Sequence, residues 1–420
     1  MNISFLVPHI ENILRQVLTF KYPADGTVRF YFKTNPKLGS RDRQKIADAV
    51  FSILRNLALF RNLSQSSNKP LHQALSILGL LYHKLPLTQF DNITQSDAEW
   101  LTHISKIDRS SLKFSIQYSM PEWLYTNLIA NNDLEKVTKI AQSMLLPSNL
   151  DIRVNTIKTN IDDTMSELYQ QNVMAGLTKY SPNALRLDAK SSIHHNPMFE
   201  NGWFEIQDEG SQILCHLLNP KRGEMVVDFC AGSGGKTLAI GAIMRSTGRI
   251  YAFDVDDKRL KKIKPRLARS GLSNVYTALI QHENDSHIKR LHKKIDRVLL
   301  DVPCSGIGTL RRNPDLKWRQ SDKSIEELNV KQKSILANGA KLLKTNGIIV
   351  YATCSLLKKE NEDIVEEFLA NNTDFKLLPA YEILEKQKIN VENIDNSSYL
   401  KLYPHIHGTD GFFAAVLQKT

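Results

Sequence analysis

Cysteine is scarce in this chain: 420 residues carry only Cys215, Cys230, Cys304 and Cys354, with no C-x-x-C pair. That spacing excludes a disulfide-stapled secreted domain and offers no zinc framework, so a reduced compartment is expected. Long apolar runs are missing too. No window approaches the roughly 18 uninterrupted apolar residues of a membrane span, and the N-terminus shows no basic stretch, apolar run and small-residue cleavage site in succession. The expectation is a cytoplasmic protein without a membrane partner. His405 and His407 have no second ligand cluster beside them, so no metal is expected. Repeats and low-complexity tracts are absent.

Basic residues are in surplus. Lys and Arg number 55 against 44 Asp and Glu, a net charge of +11 with a sequence pI near 9.3, which favours a polyanionic partner. The length points to two or three domains. Residues up to about Ile140 read as helical, with Ile46, Ala49, Val50, Ile53 and Leu54 on a helical period. Ser40 or Asp42 is expected to cap that helix, leaving Arg41 and Arg43 exposed. Near Leu150–Asn155 the texture becomes a short alternating strand, then a helix near Ile161–Gln171 and extended pieces around Ala184–Asp188. From about Glu205 apolar runs alternate with amphipathic helices, the pattern of a parallel, doubly wound α/β sheet. Its expected strands are Glu224–Phe229, Arg249–Asp254, Val275–Leu279, Asp296–Asp301, Gly347–Ala352 and Phe412–Leu417. The resulting division is 1–140 helical, 141–204 small α+β, 205–420 doubly wound.

Open α/β sheets bind ligands beyond the carboxyl ends of their strands. Four features begin where an apolar run stops: the glycine turn Cys230-Ala231-Gly232-Ser233-Gly234-Gly235-Lys236-Thr237, Asp254, Asp301-Val302-Pro303-Cys304, and Thr353-Cys354-Ser355. The turn has three possible owners. A P-loop would need glycine where Cys230 stands, although Gly235-Lys236-Thr237 fits and Val298–Asp301 resembles a magnesium-holding strand. A dinucleotide fingerprint would need glycine where Thr237 stands. S-adenosylmethionine needs close backbone approach and a carboxylate for its ribose, which Asp254 supplies. Asp285 is either an adenine contact or a solvated loop carboxylate. Cys304 and Cys354, fifty residues apart on neighbouring loops, read as reactive thiols; Cys215, in an apolar helical stretch, and Cys230, closing a strand, read as core. The run from Lys258 to Arg269 reads as a solvated helix face. Arg311, Arg312, Lys317 and Arg319 around Trp318 read as a nucleic-acid loop.

The constellation resembles the Sun/Fmu-type RNA cytosine-C5 methyltransferases, kin of the eukaryotic nucleolar and Sun-domain enzymes. That family's D-x-C-A-A-P-G-G-K-T is met by Asp228–Thr237, with Gly232-Ser233 in place of Ala-Pro. Its D-x-P-C-S/T-G is met by Asp301–Gly306, its T-C-S with a later E-N by Thr353-Cys354-Ser355 and Glu360-Asn361, and its closing motif by Asp410–Ala414. The resemblance implies a Rossmann-like methyltransferase sheet preceded by an all-helical NusB-like RNA-binding domain, the latter through Gly39–Arg43 and Val50–Asn56. It also implies methyl transfer from S-adenosylmethionine to small-subunit ribosomal RNA by a monomer. Residues Cys230 to Lys236, Asp254, Asp285 and Asp301 would bind the cofactor. Cys354 would be the nucleophile, Cys304 would help release product, Asp301 would hold the base and Lys236 would supply positive field. The residues alone do not choose between the cysteines. An NTPase reading ignores both thiols, and an RNA-binding assembly factor would not need them.

Overall fold

The computed structural model describes residues 3–82, 94–188, 193, 196–393 and 398–420. Contacts divide the chain into two units, Met1–Pro147 with Thr309–Asp322, and Ser148–Gly308 with Lys323–Thr420.

The first unit is helical. Its principal helices are Leu6–Val17, Ala24–Thr34, Ser40–Arg55, Leu57–Ser64, Leu71–Tyr82, Gln95–Ser105, Glu122–Ile129 and Leu134–Met144. The helical period read from the sequence is the one that packs: Ile46, Ala49, Val50, Ile53 and Leu54 are all fully buried. The helix start differs from expectation. Gly39 is the N-cap and makes no side-chain cap, and Arg43 folds back to donate to the carbonyls of Leu38 (2.9 Å) and Pro36 (3.1 Å) rather than standing free.

The stretch expected to be a nucleic-acid loop is instead part of this helical unit. Trp318 packs against the helical core and stacks on Phe20 at 6.5 Å. A helix leaves its last carbonyls without partners; here Trp318 Nε1 donates to Leu54 O (3.1 Å) and Lys317 Nζ to Arg55 O (2.9 Å), capping Ser40–Arg55 from outside its own sequence. Arg55 in turn donates to Arg311 O, and Arg311 to Pro147 O. Lys317 is 2 % exposed. The side chains of Arg311, Lys317 and Trp318 thus all end on backbone carbonyls of this unit, which makes them structural.

The second unit holds two sheets. Strands β1 (Leu150–Val154), β2 (Ala175–Leu177), β3 (Ala184–Leu187) and β4 (Phe204–Ile206) form an antiparallel sheet in the order β2-β3-β1-β4, backed by helix Ile161–Gln170 through Leu168. The larger sheet comprises β5 (Met225–Asp228), β6 (Arg249–Asp254), β7 (Val275–Leu279), β8 (Ile295–Asp301), β9 (Leu343–Thr353), β10 (Phe375–Leu378), β11 (Leu400–Leu402) and β12 (Phe412–Lys419). Its order is β10-β12-β9-β8-β5-β6-β7, with β11 on β12. Strands β5 to β9 run parallel, as expected. The sheet as a whole is mixed, because β12 is antiparallel to both β9 and β10. A parallel crossover through helix Glu362–Asn371 leaves a gap between β9 and β10, and β12 enters it from the carboxyl rim, so it must run the other way. This places Asp410-Gly411 beside Thr353. Among the described residues no helix is long and apolar enough to cross a membrane.

Burial pulls the Lys317 pKa from 10.5 down to about 7, with Arg55 adding to the effect. Between those values the unfolded chain holds a proton that the folded chain does not, so stability rises with pH across that window. Denaturant unfolding of Lys317→Met and wild type is expected to show their difference moving in favour of wild type from pH 7 to pH 10. A pH-independent difference would contradict a buried, neutralised lysine.

Candidate active site

The glycine turn leaves β5 at Asp228 and enters helix Gly235–Ile243. Gly232 and Gly234 adopt φ of +56° and +86°, the left-handed region that side chains disfavour. A Cβ on Gly234 would also press on Ile263, whereas the space beside Gly232 is open. Asp254, at the end of β6, ties the turn down: one oxygen accepts from Gly232 N and the other from Asp256 N, both at 2.7 Å. Ala231 N donates to Phe253 O at 2.8 Å, and Ser233 O accepts from Arg266.

Lys236 Nζ lies 2.6 Å from Asp301 Oδ2. Burial alone would lower the lysine's pKa, but the charge and hydrogen bond of Asp301 outweigh it and the net shift is upward. Asp228 accepts from Thr237 Oγ1 at 2.6 Å, and its other oxygen is buried without a partner. Burial pushes this carboxyl up to about 7, opposed by Thr237 and reinforced by Asp301. The turn therefore carries one lysine, paired with Asp301, while Asp228 and Asp254 bond to its Thr237 hydroxyl and Gly232 N–H. Such a balance suits a cationic ligand and opposes a polyphosphate.

The two rim cysteines meet. Cys304 Sγ and Cys354 Sγ are 3.4 Å apart, and both are free thiols. The hydrogen bond with Cys354, then burial, raise the Cys304 pKa well above its ordinary value. Glu360, fully buried, holds the two loops in this relation. Its carboxylate accepts from Ser305 N (2.8 Å), Gln332 Nε2 (3.0 Å) and the hydroxyls of Ser305 and Ser355 (both 2.5 Å). Gln332 also reaches Pro303 O at 3.0 Å. Asn361 joins Thr353 Oγ1 to Ser355 O. A second clamp is backbone: Gly308 N donates to Cys354 O (2.9 Å) and Gly411 N to Gly308 O (2.8 Å). A Cβ on Gly308 would sit 2.1 Å from Gly411 O, so only glycine fits. The sequence motif pairs Glu360-Asn361 with Thr353-Cys354-Ser355 but does not reveal this carboxylate as the link between the loops.

Other predicted residues have different positions. Asp285 caps helix Ser286–Lys289, accepting from His287 N (2.9 Å), Gln281 N (3.1 Å) and His287 Nδ1 (2.9 Å). Those bonds lower its pKa. Cys215 is fully buried, and burial pushes its thiol up to about 12. Cys230 packs partly against the core under the sheet. In the basic run, Arg266 and Arg269 pair with Glu205 at 2.8 and 2.6 Å. His407 is buried, its ring bonded to backbone at Glu392 and Tyr403, and among the described residues no cluster could hold a metal ion.

Two family models match the chain: "16S rRNA methyltransferase RsmB/F" over residues 215–418, and the ferredoxin-like domain of RsmF/B-like methyltransferases over 120–194. A probable ribosomal RNA small subunit methyltransferase B from Synechocystis is 36 % identical over 321 residues, covering 74 % of this chain and 70 % of the relative. The chain belongs to the RsmB/F methyltransferase family. A Bacillus subtilis relative described in the same words is 28 % identical across 90 % of this chain and 84 % of its own. A solved methyltransferase homologue from Pyrococcus horikoshii is 31 % identical with a TM-score of 0.62, covering 75 % of this chain and all of that one. The solved structure of PH0851 shares the fold over the full chain, with a TM-score of 0.80 at 24 % identity. In this RsmB/F member the motif-bearing region, 215–418, contains both cysteine loops and Glu360.

Glu360→Ala would remove the carboxylate that accepts from Ser305 N and the Ser305 and Ser355 hydroxyls and leave Gln332 Nε2 with Pro303 O alone, a loss of about 2–4 kcal/mol. Chemical denaturation is expected to show it. A loss within error of an exposed-site control such as Glu367→Ala would mean that the carboxylate does not hold the loops.

Proposed function

We propose that the protein transfers a methyl group from S-adenosylmethionine to carbon-5 of a cytidine in small-subunit ribosomal RNA, through a covalent bond between Cys354 and carbon-6. The observation that carries this reading is the 3.4 Å approach of two free thiols at the carboxyl rim, beside a turn rich in carboxylates. Family membership and relatives described as small-subunit ribosomal RNA methyltransferases support the substrate class.

The cofactor fits the turn by charge and by space. Open space at Gly232 admits a ligand against the backbone, and Asp254 and Asp301, against the single charge of Lys236, favour a cation. In this reading the segment Cys230–Lys236, Asp254, Asp285 and Asp301 hold S-adenosylmethionine, with Asp254 and Asp285 each fixed by two backbone N–H bonds. When bound, the cofactor supplies an electrophilic methyl on a sulfonium.

Cytosine carbon-5 is a weak nucleophile, so the protein must activate it. The Cys354 thiolate adds to carbon-6: the S–C6 bond forms as the C5=C6 π pair moves into the ring and leaves carbon-5 electron-rich. Asp301, fixed by Lys236, serves the pyrimidine edge. After methylation carbon-5 gives up its proton to solvent water, C5=C6 re-forms and the S–C6 pair returns to Cys354 as the thiolate. Cys304 suits the helper role. Its raised pKa keeps it a thiol at neutral pH, able to donate an S–H to the neighbouring thiolate. The target base must be unstacked to reach the rim, which suits a loop or single-stranded cytidine. The helical part up to about residue 140 is assigned to RNA binding, and 141–204 to a separate small domain.

The test uses labelled S-adenosylmethionine, small-subunit ribosomal RNA or partly assembled particles, and a denaturing gel. Cys304→Ala is expected to accumulate an RNA-linked protein band, and Cys354→Ala to give neither band nor product. The reverse pattern would exchange the cysteines. Methylation surviving in Cys354→Ala, or none from wild type, would overturn the reading.

A further inference from the structure

Strand alternation sends Arg249, Tyr251 and Phe253 of β6 to one face of the large sheet, and the register sets Tyr276 of β7 directly beside Tyr251. β7 is the edge strand. Phe253 lies under the core, 1 % exposed, but cover thins toward the strands' amino ends: Tyr276 is 52 % exposed. The cause is the connection from β7 to β8, whose only helix among the described residues is the four-residue Ser286–Lys289. A groove of about 300 Å³ is left open, lined by these side chains with His287 and Arg290, at the lower end of the size that takes a planar ligand.

The lining has two chemistries. The accessible rings are the half-buried Tyr251 and the exposed Tyr276, edge-on to one another at 5.9 Å, with the buried Phe253 ring near-parallel to Tyr251 (20°, 6.2 Å) as the floor beneath. Arg249 and Arg290 make no ion pair among the described residues, and the carboxylate of Asp285 is taken up by Gln281 and His287. An aromatic platform flanked by unneutralised guanidinium groups fits a base that stacks while its phosphates meet the arginines. The groove is not the cofactor rim. Arg249 opens β6 and Asp254 closes it, so the arginine end of the groove lies about 16 Å from the rim at ~3.3 Å per residue, and Phe253, next to Asp254, enters the groove only as its buried floor.

We infer that this groove is a second RNA-contact site, which holds an unpaired nucleotide of the substrate away from the reacting cytidine. The inference rests on the RNA-methyltransferase reading for its ligand. It explains how affinity for RNA can be added without crowding the rim.

The probe is a uridine-rich single-stranded oligoribonucleotide carrying 4-thiouridine, with small-subunit ribosomal RNA for turnover. Irradiation is expected to cross-link the oligonucleotide to the peptide containing Tyr276. Tyr276→Ala and Arg290→Ala are expected to weaken RNA binding by about tenfold each, as loss of one stacked base or a phosphate contact would, with S-adenosylmethionine affinity and kcat at saturating RNA unchanged. Arg290→Lys should recover part of the loss. Wild-type methylation with affinities of both alanine variants within twofold of wild type, and no cross-link at β6 or β7, would overturn the site and leave the proposed function standing. A cross-link at Tyr276 without methylation would do the opposite.

Discussion

A single buried carboxylate organises the chemistry-bearing end of the large sheet. Glu360 takes four hydrogen bonds from Ser305, Ser355 and Gln332, and no lysine or arginine shares it among the described residues. An isolated buried charge is costly, and only a full set of donors makes the position tolerable. Those donors come from both cysteine loops and from the helix Asp322–Ala340. The requirement to satisfy Glu360 therefore fixes the loops to one another. The 3.4 Å sulfur separation follows, as does the need for glycine at 308, where the loop from β8 passes against Gly411.

The second constraint is electrostatic. Helix N-termini and glycine turns are commonly phosphate sites, and Gly235-Lys236-Thr237 invites that reading. Here the lysine's charge is taken by Asp301, the threonine hydroxyl by Asp228, and the backbone N–H of Gly232 by Asp254. The lysine, the threonine hydroxyl and one backbone N–H of the turn, groups that a P-loop would turn toward phosphate and magnesium, are already satisfied by carboxylates. The same turn geometry thus serves a cation in one setting and a polyanion in another, and the surrounding acids decide which.

Much of the parallel core was legible in the sequence. β6 and β7 have the expected bounds, since short apolar runs between turns leave little freedom; β8 ends at Asp301 as expected, and β5 and β9 end within one residue of the expected Phe229 and Ala352. What escaped was non-local. The antiparallel sense of β12 depends on a gap created between β9 and β10, and β10 and β11 are too short to stand out. The Arg311–Arg319 stretch shows the limit most clearly. Its charges and tryptophan describe an RNA-binding loop equally well, and only the tertiary partners, the carbonyls of Leu54 and Arg55, give it a structural role. Asp285 is similar: a carboxylate after a strand can bind a ligand or cap the next helix, and the sequence did not reveal the four-residue helix that it caps. Glu360 was visible as part of a motif, but a motif does not say which groups a side chain joins.

The account turns on which sulfur bonds to the base. RNA substituted with 5-fluorocytidine blocks the final loss of a proton from carbon-5, so the covalent complex should persist on the wild-type enzyme. Tandem mass spectrometry of the digested complex is predicted to find the nucleotide on the peptide that contains Cys354. Its attachment to the peptide containing Cys304, or methylation with no protein-linked nucleotide, would contradict the account.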